Sequence, residues 1–239
     1  MIKLKKVKTD KNITPDYYVA DFETTTMESN YFKTHQKGAL IAWLVQPLGE
    51  YETDFHGTDF VSFEKWLLTL KHPSVVFFHN LSKFDGYVVI HYALKLWGNN
   101  LSQKFSKITY SYQKVNGGLL TITIRTPNTT ITLQDSIRLL TLPVAMLGAI
   151  LNYPKLETNY DIDPVSSWEE LPEEMRVYLK RDVEIVNKSL VDFKHKIDSL
   201  AARYQADWTA LKTTSSSLSR DIINSFDTEG LFKISIASQ

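Results

Sequence analysis

Tyr17-Tyr18-Val19-Ala20-Asp21-Phe22-Glu23 is the stretch that decides how the chain is read. Four apolar or aromatic residues run into two acids separated by one phenylalanine. Side chains alternate faces along a strand, so Asp21 and Glu23 point one way while Ala20 and Phe22 point into the other layer. Two like charges side by side at the end of a buried strand raise each other's pKa and repel. A divalent cation removes that conflict, and Mg²⁺ takes one or two carboxylates together with phosphate oxygens of a substrate. The same spacing fits a solvated strand end, and an Asp-x-Glu motif alone does not separate the two.

Outward from this strand, the apolar run at residues 39–45, Gly49 and residues 51–55 predict a hairpin. Residues 60–70 have helical spacing, with Phe60, Phe63, Leu67 and Leu70 on one face. Residues 74–78 read as a buried strand, and residues 87–97 as a helix stopped by Gly98 and Asn99. Three more strands are predicted at 107–115, 119–125 and 129–133, the first two joined at Asn116-Gly117-Gly118. After Pro143 the pattern turns helical and largely stays so, ending in a Ser/Thr-rich, weakly helical stretch from Thr213. Strands and interspersed helices followed by a helical C-terminal third predict a mixed α/β domain.

Composition narrows the field. The chain has 239 residues, 43% of them hydrophobic and 23% charged, which excludes a disordered chain or a collagen-like repeat. It has no cysteine, so disulfide frameworks and thiolate metal sites are excluded. The basic start, Met-Ile-Lys-Leu-Lys-Lys, lacks the apolar core of a secretion signal, and no window offers the roughly 20 apolar residues of a membrane helix. The expectation is a cytoplasmic protein without a membrane partner, monomeric by default. With 27 basic and 27 acidic residues, it lacks the excess of Lys and Arg that marks a protein coating nucleic acid.

Two further carboxylate clusters stand in unusual places. His79-Asn80-Leu81-Ser82-Lys83-Phe84-Asp85-Gly86 leaves the strand at 74–78 and opens a helix with an acid in its first turn. In an open α/β sheet that is where ligand groups sit, although an Asp near a helix start also serves as a cap. In the second, Met175, Leu179, Val186, Leu190, Phe193, Ile197 and Leu200 form the inward stripe of a long helix, and Asp182 falls on that stripe. Tyr178 precedes it by four residues on the same face. An inward carboxylate is costly unless it is paired or binds a metal, so either a cation or a contact to Tyr178 or Arg181 is expected. Together the clusters supply four carboxylates and a tyrosine, the complement of a two-metal site for in-line phosphoryl displacement.

Asp21-Phe22-Glu23, Asn80-x3-Phe84-Asp85-Gly86 and Tyr178-x3-Asp182 resemble the three exonuclease motifs of family B DNA polymerases, the DEDDy-type 3′–5′ exonucleases. Asp21-Phe22-Glu23-Thr24-Thr25-Thr26 and Phe78-His79-Asn80-Leu81 are most similar to the protein-primed branch of phages and linear plasmids. The resemblance implies a ribonuclease H-like fold with a mixed sheet flanked by helices. It assigns residues 1–200 to an exonuclease domain and 201–239 to an extension leading toward a polymerase domain. It further implies that Asp21, Glu23, Asp85 and Asp182 bind two Mg²⁺ (or Mn²⁺) and that Tyr178 positions the attacking water. Thr24, His79, Asn80 and Phe84 match positions that hold a single-stranded DNA 3′ end. Asp135-Ser136-Ile137 resembles a further primer contact, in which Ser136 and Ile137 take the place of a Ser-Leu pair.

Two positions depart from the pattern. Ser82 is an insertion relative to the usual protein-primed spacing, and the family's catalytic lysine is replaced by Asn159, with Lys155 the nearest substitute. Neither the polymerase aspartates nor a Tyr-x-Gly-Gly linker occurs. The implied protein is the proofreading part of a DNA polymerase, with the polymerase domain and a terminal protein primer as partners. Two alternatives stay open: a free-standing exonuclease of the same fold acting on short RNA or DNA, and a nucleic-acid-binding domain that has lost catalysis.

Overall fold

The computed structural model describes residues 14–25, 39–97, 108–115, 118–157, 162–204, 211–212 and 214–226. Thr26, Gly98, Asn99, Asn116, Gly117, Asn159 and Thr213, which figure in the sequence analysis, lie outside them. One seven-stranded sheet organises the chain in the order β3-β2-β1-β4-β7-β6-β5. The strands are β1 (Asp16–Thr24), β2 (Leu40–Pro47), β3 (Phe55–Gly57), β4 (Ser74–Phe78), β5 (Thr109–Val115), β6 (Gly118–Arg125) and β7 (Thr130–Asp135). The helices are α1 (Phe60–Thr69), α2 (Asp85–Trp97), α3 (Ile137–Leu140), α4 (Val144–Ile150), α5 (Glu173–Arg203) and α6 (Ser215–Phe226), with a 3₁₀ turn at Trp168–Glu170. This is the expected mixed α/β architecture of ribonuclease H-like type.

Strands β1, β4 and β7 run parallel at the centre, with Ala20, Phe78 and Asp135 in register. Their C-terminal ends, and the residues that follow, therefore lie along one edge of the sheet. That edge carries Asp21 and Glu23 from β1, His79 and Asn80 after β4, and Ser136 after β7. β1 also pairs antiparallel with β2, and the register slips between Glu23 and Thr24. The alternation predicted for β1 separates two cores. Ala20 and Phe22 join Phe63, Trp66, Phe78 and Val89 on one face, while Val19 joins Phe77, Leu179, Val183 and Leu190 on the other. Asp21 and Glu23 thus belong to the face covered by α5. Phe63 is fully buried, and truncating it to Ala would cost about 3–5 kcal/mol.

Two expectations are corrected. The hairpin partner of β2 is Phe55–Gly57 rather than residues 51–55. Side chains take the backbone groups a ladder would use. Asn187 accepts from the Gly49 N–H at 2.8 Å and donates to the Pro47 and Glu50 carbonyls, and Gln46 donates to the Tyr51 carbonyl. The stretch after Pro143 is also less helical than expected. Asn152 adopts a left-handed backbone (φ 51°), Pro154 and Pro164 remove donors, and residues 151–157 and 162–167 form no helix. The long helix then starts at Glu173, directly after Pro172.

Candidate active site

Asp21, Glu23 and Asp182 converge. One carboxylate oxygen from each lies within 4.8 Å of the others, a group able to hold a metal ion. Strand alternation delivers Asp21 and Glu23. The inward stripe of α5 delivers Asp182, which is only 6% exposed. Asp85, the first residue of α2, is also buried. It stands outside the trio's 4.8 Å circle but within electrostatic reach of both β1 acids.

The electrostatics are those of a site with too much negative charge. Burial pushes the Asp21 carboxyl well above the usual carboxylate range, and the neighbouring charges of Glu23 and Asp182 add to the rise. Burial and Asp182 push Glu23 up to about 8. Asp85 is raised well above its ordinary value by burial and then by Asp21, against hydrogen bonds from its own backbone and that of Phe22. Burial raises Asp182 as well, with Lys155 opposing. Moreover, Asp182 Oδ1 is buried without a hydrogen-bond partner. Buried and half-buried carboxylates that repel one another, one with an orphaned oxygen, form a donor set that suits a hard divalent cation.

Lys155 closes the site from the segment before α5. Its ammonium donates to Tyr178 Oη at 2.7 Å and to Asp182 Oδ2. Burial disfavours that charge, but Asp182 and Tyr178 outweigh it and hold the lysine above its ordinary pKa. Lys155 is thus the main partner of Asp182, with the expected Tyr178 hydrogen bond and the Arg181 charge as smaller contributions. Arg181 instead donates to the Pro154 carbonyl at 2.9 Å. Burial pushes the Tyr178 hydroxyl up to about 12, with the Lys155 hydrogen bond opposing, so it stays a neutral phenol.

The positions expected to hold a strand divide into two kinds. Phe84 is 59% exposed and presents a bare ring beside Asp85. Thr24 and Ile137 are half-buried at the same edge, and Asn80 takes a left-handed backbone (φ 77°) with a buried, unpartnered Oδ1. His79 and Ser136, by contrast, are occupied inside the protein. His79 Nε2 donates to the Leu142 carbonyl at 2.8 Å, and Nδ1 lies 2.9 Å from Ser136 Oγ, which also reaches the Phe78 carbonyl. Burial lowers the His79 pKa, so the ring is neutral. Both residues build the loop at the strand ends.

The loop's organiser is Asp135, to which the sequence reading gave no role of its own. Its carboxylate accepts the backbone N–H of Asn80 (2.8 Å), Ser82 (2.9 Å) and Ile137 (3.2 Å). The one signal for it was an acid ending the apolar β7, the pattern that drew notice at Asp21.

Fold and site together define a ribonuclease H-like α/β domain with an acidic, cation-ready edge. No protein-family model matches the chain, and no curated protein does. Among solved structures it is similar to Phi29 DNA polymerase complexed with primer-template DNA (TM-score 0.65, 20% identity). It is similar also to that polymerase complexed with single-stranded DNA (TM-score 0.66, 18% identity). In each case the match covers 90% of this chain and 35% or 36% of the polymerase, so the chain spans about a third of that protein's length. This chain folds like part of that polymerase.

Proposed function

We propose that the chain is a metal-dependent 3′–5′ exonuclease, the proofreading part of a DNA polymerase used in protein-primed replication. The observation that carries this is the convergence of Asp21, Glu23 and Asp182, with Asp85 buried alongside, on the edge where Phe84 is exposed. The reaction is hydrolysis of the terminal phosphodiester. Water adds to phosphorus, the bond to the 3′ oxygen of the preceding nucleotide breaks, and that oxygen takes up a proton as a nucleoside 5′-monophosphate departs. Asp21, Glu23, Asp85 and Asp182 would hold two Mg²⁺ or Mn²⁺. Such ions supply a nucleophile at neutral pH and offset charge on the leaving oxygen. Tyr178, kept a phenol and fixed by Lys155, orients the attacking water. Phe84 offers a stacking face to an unpaired base, with Thr24, Asn80 and Ile137 along the strand's path. His79 and Ser136 act through the shape of their loop.

A mispaired end leaves the duplex at lower cost, so selection for errors needs no base-specific contact. Zero net charge agrees with a trimmer of short single strands, because duplex binding with its demand for Lys and Arg would fall to the polymerase domain. The test uses a 5′-labelled single-stranded oligonucleotide with Mg²⁺. Stepwise shortening from the 3′ end is expected, abolished by chelation and by the Asp21→Ala, Glu23→Ala double substitution. Digestion by that double variant at the native rate would overturn the reading.

A further inference from the structure

The Lys155 ammonium reaches Tyr178 and Asp182 from a short segment lying against α5, and the residues that contact this segment have no part in the proposed reaction. Tyr153, two residues earlier, donates its hydroxyl to Glu184 Oε2. The Arg181 guanidinium lies 3.7 Å from the centroid of its ring and the Lys188 ammonium 4.4 Å. Lys188 itself sits 3.5 Å from Glu184 and 4.3 Å from the Tyr51 ring centroid. Arg181 continues to the Pro154 carbonyl at 2.9 Å, and the Tyr153 N–H is bonded to the Gly148 carbonyl at 2.8 Å. The packing has no slack at Gly148. A Cβ there would lie 2.7 Å from the Tyr153 carbonyl oxygen and 3.0 Å from the Lys155 backbone nitrogen. Arg181, Glu184 and Lys188 stand one turn apart on α5, the helix that also carries Tyr178 and Asp182, so clamp and site share one rigid element.

We propose that Tyr153 is a positioning residue. Clamped by Arg181, Glu184 and Lys188, it fixes the Pro154–Lys155 segment so that the lysine ammonium stays on Tyr178 and Asp182. This rests on the exonuclease reading for its effect on rate, and on the clamp alone for its effect on Lys155. A misplacement of about 1 Å in a group that orients the reaction can cost about a hundredfold in rate.

The experiment is a double-mutant cycle on the full chain with a single-stranded oligonucleotide. Tyr153→Ala should lower kcat by about 10- to 100-fold with KM changed by less than about twofold. In a Lys155→Ala background the same substitution should change kcat by less than about twofold, because nothing is left to position. Gly148→Ala, which pushes on the segment while favouring helix α4, should behave likewise. An equal loss in both backgrounds, or no loss in either, overturns the proposal. A readout independent of turnover separates it from the nuclease reading. In chelated protein carrying ¹³Cε-lysine, the Lys155 signal, assigned by its absence in Lys155→Arg, should be shifted and broad. Tyr153→Ala should return it to the position of exposed lysines, whereas Asp21→Ala should not. A Lys155 signal unmoved by Tyr153→Ala refutes the clamp, whether or not the chain cuts DNA.

Discussion

Two sets of acids drawn into the interior of this molecule, fully or by half, are handled in opposite ways. Glu64, Asp135 and Glu184 each receive donors from the protein. Tyr110 donates to Glu64, three backbone N–H groups converge on Asp135, and Tyr153 and Lys188 attend Glu184. Asp21, Glu23 and Asp182 share Lys155 as their nearby cation, and one oxygen of Asp182 has no partner. A buried carboxylate with donors is a structural strut, because its desolvation is offset by charge-assisted hydrogen bonds. A cluster of carboxylates partly withdrawn from water and short of donors is a liability that folding alone does not explain. The contrast separates acids that hold the fold from acids kept for a ligand.

The largest effect expected is on turnover. Asp21→Asn keeps the shape and removes one charge from the trio. It should lower 3′-end hydrolysis by about 10³-fold, equivalent to about 4 kcal/mol in the barrier, without lowering the melting temperature of chelated protein at pH 8. A matched fall in stability would put Asp21 among the struts and erase the distinction. Next in size is the reverse case. Asp135→Ala leaves three backbone donors on the strand-end loop without their acceptor and should cost about 3 kcal/mol in urea unfolding. The wild-type midpoint in that variant would mean that water replaces the carboxylate, and Asp135 would leave the strut class.

What the sequence revealed follows the reach of its periodicities. The alternation in β1 put Asp21 and Glu23 on the face opposite Phe22, and the stripe of α5 put Asp182 inward, because each signal is local to one element. Helix capping and metal binding ask for the same residue at a helix start, and the pattern around Asp85 taken alone favours the cap. Asp135 joins β7 to the loop after β4, and His79 and Ser136 turn toward each other across 57 residues of chain, pairings that no local period encodes. The hairpin failed for a similar reason. Asn187, 138 residues from Gly49, captures the turn's backbone from helix α5. Lys155 stands out in the sequence only as the lysine nearest to Asn159, and its contacts with Tyr178 and Asp182 are a tertiary arrangement that residue spacing does not encode.

The smallest effect expected is a slope with pH, and its sign follows from the same contrast. Glu23 has an ordinary value of 4.5 and stands at about 8 in the folded, metal-free protein. The folded state therefore binds the proton that the unfolded chain releases. Stability from this group is fully present below about pH 4.5 and is lost as pH rises toward 8. Asp21 and Asp85, raised in the same direction, add to the decline. His79 has the opposite sign, since its lowered pKa makes the neutral ring's contribution grow as pH rises toward 6.5. Chelated protein should accordingly melt at progressively lower temperature from about pH 6.5 to 8, where the histidine no longer changes and the acids still do. Glu23→Gln should flatten that decline and raise the melting temperature at pH 8. Added Mg²⁺ should raise it for the native chain by binding the ionised carboxylates, and much less for the variant. If Glu23→Gln leaves the slope of the native chain unchanged, the cluster carries no excess charge and the division between the two kinds of acid fails.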